Sequence, residues 1–231
     1  MELASKGGGW VGEAYFSLLC HEYLPESVDR ILYIDAGDVI FNGDFEEYYN
    51  YDFNGQALIV TLSRMKEDGS ILELNDLMNY NNLLGIKRGI FKSGSYVING
   101  DYFRNSKIDM AQYIALLETI AGLLVNEELK YFGDQGFLSI TYLGRVTYYA
   151  YPQSKNLWYM PYNFCLWFFE RGLEMFGDLW YQPKIIHFAG APKPWKIGDD
   201  NKDTLKEGQL PYYEHWHKIN DAVQNEIQSL M

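Results

Sequence analysis

The sequence predicts an α/β fold, in which short buried strands alternate with helices. Apolar runs rich in β-branched and aromatic residues predict strands over residues 31–34, 56–61, 95–99, 145–150 and 184–188. Apolar residues at helical spacing predict helices over 11–24, 44–49, 108–129, from 133 onward, and over 212–230. Strands interleaved with helices in this way are typical of α/β architecture.

Composition narrows the class of protein. A chain of 231 residues that is 48% apolar and 22% charged is typical of a globular protein, and one domain is the simplest count. The net charge of -12 argues against a nucleic-acid binder, which needs a basic patch. Cys20 and Cys165 are far apart, so we expect a reducing cytoplasm and no disulfide framework. We also expect no signal peptide, because Met1–Gly9 lacks an apolar segment.

The most suggestive stretch is the acidic turn that follows the first strand. Asp35 and Asp38 come directly after the apolar run, separated by Ala36 and Gly37. Ligands of open α/β sheets bind at the carboxyl ends of strands, and hard divalent cations take carboxylate oxygens. The stretch therefore predicts either a metal site or an ordinary Asp-Gly turn with solvated acids.

A second group of candidate residues follows the last predicted strand. His187 ends that strand, and its side chain would approach Asp35 if both strands lay in one sheet. Two carboxylates and one imidazole favour Mn²⁺, with Mg²⁺ next. Gly190 permits close backbone approach to a ligand, and Lys193 offers a point charge suited to phosphate. The alternative is a structural, hydrogen-bonded histidine.

Two further segments allow two interpretations each. Asp134 and Gln135 open a predicted helix, so Asp134 is either an N-cap or part of a polar pair that orients a sugar hydroxyl. Lys92, Ser93 and Gly94 form either a tight entry to the third strand or a wall of a ligand site.

These segments, taken in order, resemble glycosyltransferase family 8. The resemblance extends from about Glu13 to Trp216, and its most specific part is the pattern H-x-x-G-x-x-K-P-W. The matching segments are RILYID at 30–35, FKSG at 91–94, DQG at 134–136 and IHFAGAPKPW at 186–195. The family's usual Arg in the entering helix is Ser17 here, and its usual Asn between Phe91 and Ser93 is Lys92.

The resemblance implies a GT-A-like, Rossmann-like mixed central sheet flanked by helices, lacking the first N-terminal β-α unit. It implies a single domain over 1–231, N-terminally incomplete, with a C-terminal helical extension over 209–231. Asp35 and His187 would be metal ligands. The family's motif is Asp-x-Asp, so Asp38 would serve as the second acid through a one-residue bulge, with a backbone carbonyl at Gly37 as the alternative.

The remaining roles also come from the resemblance. Lys193 and Gly190 would hold the donor diphosphate, with Lys92, Ser93 and Gly94 beside the donor. Asp134 and Gln135 would face the transferred sugar as the catalytic pair. Family members react by front-face displacement, in which the leaving diphosphate helps to deprotonate the acceptor.

The function implied is Mn²⁺-dependent (or Mg²⁺-dependent) transfer of a hexose, from UDP-glucose or UDP-galactose, with retention. The acceptor would be a saccharide or glycan, as in lipopolysaccharide biosynthesis, with no nucleic acid involved. The alternatives are a catalytically impaired nucleotide-sugar-binding or carbohydrate-binding protein and a nucleotide-diphosphate-sugar hydrolase. We expect a cytoplasmic protein; association with the inner face of the membrane and the oligomeric state stay open.

Overall fold

The computed structural model describes residues 17–61, 91–123, 134–149, 164–165, 184–189, 193–205 and 209–231. The chain divides into two compact units. The first comprises Met1–Ile34 and Glu46–Trp158, and the second comprises Asp35–Phe45 and Tyr159–Met231. The boundary after Ile34 assigns the whole acidic turn to the second unit.

The described parts of both units contain strands and helices. The strands are β1 (Arg30–Ile34), β2 (Val39–Phe41), β3 (Leu58–Val60), β4 (Ser95–Asn99), β5 (Val146–Tyr148), β6 (Phe164–Cys165) and β7 (Ile185–His187). The helices are α1 (Cys20–Tyr23), α2 (Glu46–Tyr49), α3 (Gly100–Ser106), α4 (Met110–Leu123), α5 (Asp134–Thr141) and α6 (Leu210–Leu230). Two 3₁₀ helices cover Pro194–Lys196 and Asp199–Thr204.

A mixed sheet of order β1-β4-β3-β5 forms the centre of the first unit. Strand β4 is antiparallel to both β1 and β3, whereas β3 and β5 are parallel. Every residue of β3 is buried, as expected for an inner strand covered on both faces. The buried core around this sheet consists of Leu18, Leu19, Ala57, Leu58, Val60, Phe91, Tyr96, Ile98, Phe103, Tyr113, Phe137, Leu138, Tyr142 and Val146.

Local side-chain bonds set where α3 and α4 begin. The Asn99 side chain accepts a hydrogen bond from the backbone N–H of Tyr102 and so caps α3. Asp109 and Gln112 form a reciprocal capping box at the start of α4, with both bonds at 2.9 Å. Between the two helices, Lys107 adopts the left-handed conformation (φ 53°), which ends α3.

A smaller sheet of order β2-β7-β6 organises the second unit. Strand β7 is antiparallel to β2 and parallel to β6. The start of α6 packs beside this sheet, and the Tyr213 ring meets the edge of the Phe188 ring at a centroid distance of 5.4 Å. The buried residues here are Ile40, Ile186, Phe188, Ile197, Tyr212 and Tyr213.

The predicted α/β class is confirmed. The strand over 95–99 has the predicted bounds, whereas the strands over 56–61, 145–150 and 184–188 are shorter at their ends. The helix over 108–129 is observed as Met110–Leu123, and residues 124–129 lie outside the described residues. Of the helix over 11–24, only Cys20–Tyr23 is α-helical in the described part, preceded by a 3₁₀ turn over 17–19.

The C-terminal helix α6 begins two residues before the predicted start and ends where predicted. Its first turns contribute Tyr212 and Tyr213 to the core, and residues 221–231 are exposed throughout. Within the described ranges, no helix has both the length and the apolar character needed to cross a membrane.

Candidate functional site

The acidic turn lies in the chain between β1 and β2. Strand β1 ends at Ile34, Ala36–Asp38 form the turn, and β2 starts at Val39. Gly37 lies at its centre with φ of +83°, a conformation that glycine adopts without the steric penalty of a Cβ. The glycine between the two acids is therefore required by the turn, and it separates Asp35 from Asp38 by one residue more than the family's Asp-x-Asp.

His187 approaches the turn through β2 and not through β1. His187 of β7 is paired with Val39 of β2, and the backbone N–H of Phe188 donates to the carbonyl of Asp38 at 2.8 Å. Strands β1 and β7 belong to different sheets, so the shared sheet that would have brought His187 to Asp35 is not observed. The pairing with β2 brings the end of β7 to the acidic turn instead.

The carboxylate of Asp35 and the imidazole of His187 face each other. Asp35 Oδ2 lies 3.4 Å from His187 Nε2, and the side chains are 33% and 9% exposed. Two ligands bound at right angles to one octahedral cation, each about 2.1 Å away, lie about 3 Å apart. The observed separation thus fits a pair that shares one divalent cation after a small shift.

Asp38 makes a different contact. Its Oδ2 forms an ion pair with Nζ of Lys193, and the two side chains are only 21% and 23% exposed. Nζ of Lys193 also donates to the carbonyl of Phe188 at 3.1 Å and lies 5.6 Å from the centroid of the Trp195 ring. An acid, a carbonyl and an aromatic face therefore hold this ammonium group.

The structure thus brings the predicted metal and phosphate residues together as two pairs, Asp35 with His187 and Asp38 with Lys193. Within the described ranges, no group of three or more His, Cys, Asp or Glu side chains converges to hold a metal. The role of Asp38 as a metal ligand stays a prediction, as does the alternative carbonyl at Gly37. Gly190 lies outside the described residues.

The predicted sugar-side residues belong to the first unit. Asp134 starts α5 and is 5% exposed, and Gln135 beside it is half-buried. Lys92 lies just before β4, and its backbone N–H donates to the carbonyl of Thr61 at 2.9 Å. Ser93 and Gly94 are buried at the turn that leads into β4. Their roles toward a sugar stay predictions.

Ser17 and Tyr96 form a partly buried polar contact in the same unit. Their hydroxyl oxygens lie 2.8 Å apart, and the Tyr96 ring stacks on Tyr33 with centroids 4.8 Å apart. Burial raises the pKa of Tyr96 well above its usual value, and the charge of Asp134 adds to the rise while the bond to Ser17 opposes it. The serine that replaces the family's arginine is therefore tied to β4.

Sequence reasoning missed two groups around Lys193. These are the carbonyl of Phe188 and the ring of Trp195, both of which contact the ammonium. The tryptophan was visible in the K-P-W pattern, where the proline between it and the lysine stiffens the segment. The carbonyl had no signal in the sequence, because backbone groups carry none.

Comparison with known proteins gives the same family as the motifs. The sequence model of glycosyl transferase family 8 matches residues 8–198. The lipopolysaccharide 1,2-glucosyltransferase of Escherichia coli is 24% identical over 198 residues, which are 80% of this chain and 50% of the relative. The chain thus spans about half the length of that curated relative.

Solved structures show the likeness in fold. An active-site mutant of LgtC aligns with a TM-score of 0.60 at 16% identity, over 95% of this chain and 72% of LgtC. The galactosyltransferase LgtC in complex with donor and acceptor sugar analogs aligns with a TM-score of 0.53 at 17% identity, over 83% of this chain and 70% of that one. These alignments confirm the GT-A-like α/β fold that the resemblance implied. Since the family match covers most of its length, the chain belongs to glycosyl transferase family 8.

Proposed function

We propose that this chain transfers a hexose from a nucleotide diphosphate sugar to a saccharide or glycan, with retention and with a divalent cation. Family membership supports the reaction class. The observation that carries the proposal is the arrangement at the β2–β7 ladder, where Asp35 faces His187 and Asp38 faces Lys193. One pair suits a cation, and the other includes an ammonium suited to phosphate.

The donor set suits a hard to borderline cation. Carboxylate oxygen and imidazole nitrogen bind Mn²⁺ and Mg²⁺, whereas neither thiolate nor thioether is among the predicted ligands. Asp35 and His187 would hold the ion, with Asp38 or a carbonyl at Gly37 as a further ligand. The cation would supply charge neutralisation for the departing diphosphate.

Lys193 would bind the diphosphate. It is placed by two contacts besides its acid, the carbonyl of Phe188 and the ring of Trp195, so its ammonium has a defined position before a donor arrives. A preformed positive group loses little freedom when it binds an anion, which favours affinity. Gly190, in the same motif, would let the backbone approach the phosphates closely.

A second set of residues, assigned by the family resemblance, would handle the sugar. Asp134 is buried at the N-terminus of α5, where the helix dipole favours a carboxylate, and it would orient a sugar hydroxyl together with Gln135. Lys92 and Ser93 would line the donor beside Gly94, whose missing Cβ allows close approach. These residues would act by positioning, which is the main contribution that such a reaction requires of the protein.

The donor and acceptor are proposals from analogy. UDP-glucose and UDP-galactose are the donors to test first, since the relatives are named as a glucosyltransferase and a galactosyltransferase. The Escherichia coli relative is named for lipopolysaccharide, which makes a lipopolysaccharide saccharide the first acceptor to test. A cytoplasmic location remains our prediction.

Release of UDP from each donor tests the proposal. We expect release that requires Mn²⁺, stops with EDTA, and rises when the correct acceptor is added, with the product linkage retaining the donor's configuration. Equal release with and without acceptor would indicate a hydrolase. Donor binding without release across an acceptor panel would indicate a binding protein, and no binding with Mn²⁺ present would contradict the donor site itself.

A further inference from the structure

The ion pair between Asp38 and Lys193 joins two residues that the proposed function assigns to different ligands. Asp38 would serve the cation, and Lys193 would serve the diphosphate. The two side chains form an ion pair with each other, and Phe188 links them further. The backbone N–H of Phe188 donates to the Asp38 carbonyl, while its own carbonyl accepts from Lys193.

We infer that Asp38 is the counter-ion that holds Lys193 in the donor-free chain, and that a diphosphate gains Lys193 only when a cation takes over the Asp38 carboxylate. The inference rests on the proposed function for the identity of the ligands. It makes Asp38 a positioning residue, whose effect on the diphosphate acts through Lys193. The cation and the diphosphate would then raise each other's affinity by the same factor.

Electrostatics gives the sign of the effect. A diphosphate that reaches Lys193 comes close to the Asp38 carboxylate, because the two side chains are in contact. Asp35, in the same turn, adds a second negative charge. Without a cation, the diphosphate must displace the Asp38 carboxylate from the Lys193 ammonium. It must also approach the negative charges of the turn, and both requirements lower its affinity.

A purely structural ion pair would behave differently. If Asp38 kept its partner throughout the reaction, removing its charge would only destabilise the second unit or leave it unchanged. Lys193 would still be held by the Phe188 carbonyl and the Trp195 ring. Asp38→Asn therefore leaves the Lys193 ammonium in place but removes the carboxylate that competes with a diphosphate for it. The variant thus distinguishes an exchangeable counter-ion from a purely structural ion pair.

The inference is tested by titrating the chain with UDP in a calorimeter, with EDTA present to remove divalent cations. We expect Asp38→Asn to bind UDP about tenfold more tightly than the unchanged chain. The Asp38 carboxylate would then neither hold Lys193 nor repel the diphosphate. Asp203→Asn is the matched control, since it removes the same charge from an exposed side chain of the second unit. Lys193→Gln should remove the gain when combined with Asp38→Asn. Asp38→Asn affinity within about twofold of the Asp203→Asn control would overturn the inference.

A measurement without nucleotide separates this inference from the proposed function. We would measure the unfolding equilibrium constant of Asp38→Asn, of Lys193→Gln and of the double variant. The effects of the two single substitutions should fail to add, with a coupling of about fivefold in that constant. Absence of coupling overturns the counter-ion role, even in a chain that transfers sugar. Failure of the unchanged chain to bind UDP with Mn²⁺ present would instead refute the donor site and the exchange with it.

Discussion

Replacing His187 with alanine should remove most of the affinity for Mn²⁺. The imidazole is one of the two side chains that face each other at the acidic turn, with Nε2 at 3.4 Å from Asp35 Oδ2. The other acid of the turn, Asp38, is paired with Lys193. The substitution would therefore remove one of the two side chains that face each other at the proposed cation site.

The magnitude follows from the geometry. Changes in groups that merely orient a ligand cost about 10- to 100-fold in metal affinity, so loss of a ligand should cost at least about 100-fold. The His187 side chain is only 9% exposed, so the truncation also leaves a small cavity and should lower the free energy of unfolding by about 1–3 kcal/mol. His187→Gln keeps most of the side-chain volume. It should therefore lose less of the free energy of unfolding than His187→Ala does, while still losing affinity for Mn²⁺.

Mn²⁺ titration followed by electron paramagnetic resonance measures the free ion directly. The matched control is His215→Ala, which removes an imidazole from α6 in the same unit. We expect the control to bind as the unchanged chain does and His187→Ala to show almost no bound ion. Equal Mn²⁺ affinity in His187→Ala and His215→Ala, with both variants folded by circular dichroism, would refute the metal role of His187.

Three further predictions concern stability. Gly100→Ala should lower the free energy of unfolding by about 1–3 kcal/mol, because its Cβ would lie 2.8 Å from a backbone oxygen. Gly37→Ala should lower the free energy of unfolding by about 1 kcal/mol because of its positive φ alone, whereas Gly198→Ala, with open space and a negative φ, should leave it unchanged. Chemical denaturation that ranks these variants in another order would contradict these assignments. Burial raises the pKa of Tyr113, which is hydrogen-bonded to Tyr142, from 10.0 to about 12. As the pH rises, the Tyr113 hydroxyl therefore loses its proton in the unfolded chain before it does so in the folded chain. Stability should therefore fall as the pH rises from 10 to 12, by roughly 1 kcal/mol per pH unit for this group, and Tyr113→Phe should reduce that slope; an unchanged slope would contradict it.

The fold could be predicted where hydrophobic pattern and local signals agreed. The strand over 95–99 has an apolar, β-branched and aromatic centre at 96–98 that follows a Ser-Gly turn, and its observed bounds match. Helix α3 was missed because it opens with Gly100 and Asp101 and carries no apolar period, so only the Asn99 cap indicated it. Strand β2 has three residues, too few for a pattern, and its pairing with β7 depends on contacts remote in sequence.

The sequence could indicate which residues form the candidate site, but not which of them contact each other. Motif order identified Asp35, Asp38, His187 and Lys193, and the structure places all four at the β2–β7 ladder. Which acid meets which base depends on the register of Val39 against His187, and a shift of one residue would reverse the side chains. That register is fixed by tertiary packing, so the sequence alone could not give the pairing.

Anomalous scattering at the manganese edge, from crystals grown with Mn²⁺ and UDP, would locate the cation relative to Asp35, His187 and the diphosphate. We expect one peak within bonding distance of Asp35 Oδ2 and His187 Nε2, beside the diphosphate, with Lys193 on a phosphate oxygen and no longer on Asp38. Bound UDP with the manganese peak elsewhere, or with the Asp38–Lys193 pair intact, would contradict it.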